Sequence, residues 1–137
     1  MIKGRLIAES CKPGVDIEVP GLRLVRFGRH DVTGSTTPPD ERDAPVTPGA
    51  VAEQPTIWTF IDFEAPNELA DDLAHAFAQA LEPQLGWWAD FTVDDAEKVV
   101  VFADKVFRFR IDDENASRTA KAWGRARGTP ESQLDWG

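Results

Sequence analysis

Between residues 56 and 103 the hydrophobic period switches from two to 3.6 and back to two, which limits the chain to a few architectures. Residues 56–64 read Thr-Ile-Trp-Thr-Phe-Ile-Asp-Phe-Glu. β-Branched and aromatic side chains dominate, which suits a pleated, half-buried central strand. Ile57, Ile61 and Phe63 point one way; Trp58, Phe60, Asp62 and Glu64 point the other. The period then lengthens. Leu69, Leu73, Ala76, Phe77, Ala80 and Leu81 recur at spacings of three and four, and at 100° per residue all fall on one side of a helix. Pro66 suits a first helical position and Pro83 a stop, so the spacing predicts a helix over 66–82.

Alternation resumes afterwards. Residues 85–93 read as a strand containing Trp87 and Trp88, residues 94–97 as a turn, and 98–103 as a Val-rich strand. A tight hairpin at Asp104 and Lys105 leads into 106–112, where Phe107, Phe109 and Ile111 alternate with Arg108 and Arg110. A second helix is expected over 114–127. Asp113, Glu114 and Asn115 suit its start, Arg125 and Arg127 its end, and Gly128 its cap. Thr129, Pro130 and Glu131 begin one short final turn.

The N-terminal part reads as strands over 2–8 and 16–27. Ile2, Leu6 and Ala8 share one alternating phase, and Pro20 and Gly21 split the second segment into two pieces or mark a bulge. The order is β-β-(long loop)-β-α-β-β-β-α. That is an α+β fold: a mainly antiparallel sheet of five to six strands with two helices on one face. The central β-α-β unit should cross over right-handed and give one parallel pair.

Residues 34–55 differ in kind. They hold five of the ten prolines and almost no large apolar side chains. Such a stretch buries too little surface to offset its ordering entropy and reads as a flexible Pro-rich insertion. At 137 residues the whole chain, 1–137, is expected to form a single domain.

The sole cysteine, Cys11, cannot form an internal bridge or a soft metal cage. No apolar run approaches the roughly 20 residues of a membrane span, and the run after Met1 is too short for a signal peptide. The expectation is a cytoplasmic protein with no membrane association.

The net charge of −9 conceals a distribution. Residues 1–33 carry six basic and four acidic side chains, a net of +2; residues 34–97 carry one and fourteen, a net of −13; residues 98–137 carry eight and six, again +2. An acidic surplus of this size disfavours nucleic acid as a partner.

The chain has no Gly-rich phosphate loop, no His-Glu-x-x-His, no nucleophile elbow and no tyrosine. Its two histidines and one cysteine lie at 30, 75 and 11, without metal-ligand spacing, so neither a metal nor a cofactor is expected. Two sets of residues remain. Glu68, Asp71, Asp72, His75, Gln79 and Glu82 form the polar face of the first helix. Asp71, one turn before His75, should favour the protonated imidazole. With an exposed tryptophan, Trp88, as an anchor, this face would dock a basic protein. The alternative to an exposed tryptophan is cover by the C-terminal segment around Trp136. The second set is Asp62, Glu64, Asp90, His30 and Arg108. Carboxylates beside aromatics are the equipment of glycoside chemistry or of a hard-cation site, here between the sheet and the 34–55 loop. On the outer stripe of the second helix Arg118, Lys121 and Arg125 read as an anion surface or as a solvated face.

The leading expectation is therefore a non-catalytic acidic interaction protein that docks a basic partner. Small antagonists and immunity-type proteins share this size and charge, as do accessory subunits. The alternative is a small enzyme or ligand-binding domain using the second set.

Overall fold

The computed structural model describes residues 1–33 and 54–134. The insertion read at 34–55 falls, apart from its last two residues, outside them, as does Trp136.

Among the described residues six strands build one sheet: β1 (Ile2–Ile7), β2 (Arg23–Asp31), β3 (Ile57–Ala65), β4 (Trp88–Val93), β5 (Glu97–Phe102) and β6 (Lys105–Arg110). Helix α1 (Ala70–Ala80) follows β3 and helix α2 (Glu114–Ala126) follows β6. The fold is α+β, as expected. The strand order is β2-β3-β1-β4-β5-β6, and every neighbouring pair is antiparallel.

The expected parallel pair is absent. β3 and β4 run the same way, but β1 fills the slot between them and is antiparallel to both. The crossover through α1 thus spans two strand spacings, about 10 Å, rather than one.

β1 is central, and its pleat sets the two faces. Ile2 and Leu6 are buried toward α1, while Lys3 and Arg5 point to the other side. Gly4 lies on the α1 face between two phenylalanines. A Cβ there would sit 2.5 Å from the Cβ of Phe91 and 2.6 Å from Cζ of Phe63. With no side chain at this position, Phe63, Phe91 and Phe77 of α1 meet edge to face, with centroids 5.4–6.3 Å apart. Leu73, Ala74, Val99 and Val101 complete this core.

The two helices lie on opposite faces, not on one. α1 packs on Val99 and Val101, whereas Ala120 of α2 packs with Val100, Phe102 and Phe109. Successive residues of a strand face opposite sides, so β5 is covered on both. The cause is legible in its composition: Val99, Val100, Val101 and Phe102 form an unbroken apolar run, each at most 2% exposed.

Local chemistry fixes the ends. Asp94 and Asp95 both adopt positive φ in the β4–β5 turn, as a tight hairpin requires. Asp113 caps α2 by accepting a hydrogen bond from the Ala116 N–H at 3.0 Å. Gly128 takes φ +90° after the helix. β1 stops at Ile7, and the Glu9 carboxylate replaces it as partner to β3, accepting from the Thr59 N–H at 2.5 Å and hydroxyl at 2.7 Å.

The segment 16–22 is not a strand. Ile17, Val19 and Leu22 still pack against the α1-side core, and the bulge falls between Leu24 and Arg26 in β2.

Candidate functional site

α1 presents its polar side to solvent. Its inner face, Leu73, Ala74, Phe77 and Ala78, is buried. Glu68, Asp71, Asp72, His75 and Gln79 are exposed on the outside. Asp71 and Asp72 occupy the first turn, where carboxylates complement the helix dipole. Glu82 leaves this stripe. The helix stops at Ala80, the Glu82 N–H donates to the Ser10 carbonyl at 2.8 Å, and Glu82 lines a cleft with Trp123 and Arg127.

Asp71 does not turn to His75. Its Oδ1 lies 3.3 Å from Nη1 of Arg108. Arg108 also donates to both oxygens of Glu97, at 2.9 and 3.3 Å, and so ties β5, β6 and α1 together. The hydrogen bond from Arg108 holds the Glu97 carboxyl below its ordinary range. Arg108 is therefore on the α1 face and does not join Asp62, Glu64 and Asp90. On α2, Arg125 donates to both oxygens of Glu131, at 2.8 and 2.9 Å, and Arg118 donates to Asn115. Those contacts favour a solvated, internally paired stripe over an anion surface.

Trp88 lies on the other face of the sheet from the acidic stripe. Ala89, Phe91 and Val93 point toward α1, so Trp88 and Asp90 point away, and Trp88 packs half-buried beside Val100 and Phe102. Trp87 is buried too, with its ring 5.4 Å from that of Trp58. Neither is the exposed anchor expected of the pair. Strand alternation does not apply to Trp87, because Leu85 and Gly86 take positive φ and regular pleating begins only at Trp88. The 129–134 segment braces this region. Thr129 donates to the Gly86 carbonyl at 2.8 Å, Gln133 to Gln54 at 2.6 Å, and Gln54 to the Leu85 carbonyl at 2.6 Å.

Asp62 and Asp90 lie on the same face, on either side of a basic residue of β1. Arg5 of β1 lies opposite Asp62 of β3 on one side and opposite Asp90 of β4 on the other. Its Nε donates to Asp62 Oδ1 at 2.6 Å and its Nη2 to Oδ2 at 3.2 Å, and its guanidinium sits 4.6 Å from the centroid of the Phe60 ring. The Lys98 ammonium is 2.5 Å from Asp90, and Arg23 is 2.8 Å from Glu64. Basic and acidic side chains thus alternate across the strands. The Arg5 hydrogen bond holds the Asp62 carboxyl below its usual range, and that same bond raises Arg5. His30 sits exposed at one end of this face, its ring 5.5 Å from that of Phe60.

These carboxylates are poorly placed for acid–base work. A general acid must hold a proton near neutral pH, whereas the Arg5 hydrogen bond favours ionised Asp62; Asp90 and Glu64 are engaged by Lys98 and Arg23. Arg5 also occupies the space between Asp62 and Asp90 that a substrate would need. Among the described residues no three of His, Cys, Asp and Glu group to hold a metal ion. A cleft of about 190 Å³ beside Arg5 is walled by Trp58, Phe60, Trp87 and Trp88. The signal for Arg5 was available: Lys3 and Arg5 occupy the alternate phase to Ile2 and Leu6.

No helix among the described residues is long and apolar enough to cross a membrane. No protein-family model, no curated protein and no solved structure matches the chain.

Proposed function

We propose that this is a non-catalytic interaction protein that docks a basic protein partner on the outer face of α1. The observation that carries the reading is the exposed row of Asp71, Asp72, His75 and Gln79 on α1, extended by Glu68 in the 3-10 turn before it, on a helix whose opposite side is locked into the core. A rigid acidic face of this kind speeds and orients the approach of a positively charged surface. The competing enzyme reading is weaker, because Asp62, Glu64 and Asp90 are each neutralised by a neighbouring cation and Arg108 lies on the other face. An antagonist or accessory-subunit role fits equally within this proposal.

The test is affinity capture from the native host with mass spectrometry, using wild type and E68K/D72K. Asp71 is left intact because it braces Arg108. A basic protein held by wild type and lost by the variant supports the proposal. A partner held equally by both, or no stoichiometric partner, overturns it.

A further inference from the structure

The sheet has two outer strands, and they differ. On β6, Arg108 is bound by Glu97 and Asp71, and Arg110 lies 3.3 Å from Asp112. On β2 every residue except Gly28 is exposed along nine residues, and its outer edge pairs with no strand among the described residues. Large apolar side chains are part of that exposure: Leu24 is 63%, Val25 47% and Phe27 70% accessible. A long, apolar edge is a template for an added strand.

The register with β3 sorts the β2 side chains by face. Arg23 and Arg26 lie opposite Glu64 and Asp62 on the α2 face; Leu24 and Phe27 lie opposite Phe63 and Ile61 on the α1 face. With Arg29 and Asp31 the strand carries three arginines against one carboxylate. This excess argues against a second copy as occupant. Antiparallel pairing of β2 with itself would bring the arginines of one copy within cross-strand reach of the other's, and like charges so placed repel. Arg23 and Arg26 keep capacity for another anion: a guanidinium has five N–H donors, and Glu64 takes one Nη of an Arg23 side chain that is 72% exposed.

We propose that the β2 edge accepts an extended acidic segment of a partner protein as a seventh strand. Its carboxylates would lie beside Arg23 and Arg26, and its apolar side chains beside Leu24 and Phe27. This site is separate from the acidic face of α1 and takes the opposite charge.

The probe is a peptide of alternating glutamate and valine, nine residues long to match β2, with a lysine–valine peptide as its counterpart. Each is titrated into the ¹⁵N-labelled full chain at low salt. The expected result is shifts in the amides of residues 23–31, with the glutamate peptide binding about tenfold or more tighter than the lysine peptide. R26E should narrow or reverse that preference, and E68K/D72K should leave it unchanged. Equal binding of the two wild-type titrations, no binding, shifts centred elsewhere, or dimerisation of the free chain through β2 would each overturn the proposal. The comparison of the two peptides on wild type stands even if R26E does not fold.

Discussion

Arg5 grips Asp62 through two hydrogen bonds, of 2.6 and 3.2 Å, across the centre of the sheet. The pair joins β1 to β3 on the face away from α1 and removes Asp62 from acid–base chemistry.

A pH dependence follows. Asp62 has a folded pKa below its unfolded value of about 3.9, so its contribution to stability is full above that value. It is lost as pH falls through the lower folded value. Because Arg5 is about half exposed, the pair is worth roughly 0.5–1 kcal/mol. D62N should lose about that much at pH 7 by urea denaturation, and the gap to wild type should close as pH is taken below about 4. A gap that stays constant in acid would mean that the ion pair is not what Asp62 contributes.

The Gly4 contact predicts a steric cost. A methyl group 2.5 Å from the Cβ of Phe91 must displace a ring or the central strand. G4A should lower stability by about 1–3 kcal/mol, read as a fall in melting temperature. The backbone explanation is separable, because Gly4 is not among the glycines with positive φ.

Cys11 is more than half buried, and burial pushes its thiol pKa up. The thiolate is the reactive form, so alkylation at pH 7–8 should be several-fold slower in the native chain than in urea. Equal rates would show that the segment around Cys11 opens freely.

Much of the fold was legible in the sequence, for a physical reason. Elements that bury one face announce it in their period, so α1, β3, β6 and the Asp113-led start of α2 were read within a few residues. Arrangement was less accessible. Nothing local marks β1 as the strand that enters between β3 and β4, because that slot is set by partners distant in sequence, such as Ala65 and Val93 opposite Ile2. The helices cover both faces because the Val99 to Phe102 run is buried on both, a signal that the run's composition carries and that helix periodicity alone does not. At the candidate site the acidic row of α1 was foreseen, except for Glu82, which the early end of the helix removes. Asp62 and Asp90 lie on either side of Arg5, and neither Arg5 nor Lys98 is marked as their partner by sequence spacing, since cross-strand register decides the pairing.

The most direct test of the central claim is the association rate of E68K/D72K with the partner captured by wild type, measured against salt concentration. The account predicts a rate at least about tenfold slower than wild type at low ionic strength, a gap that shrinks as salt is added, and a folded variant whose melting temperature falls by only a few degrees as Asp72 leaves the helix N-terminus. An unchanged association rate in a folded variant would contradict it.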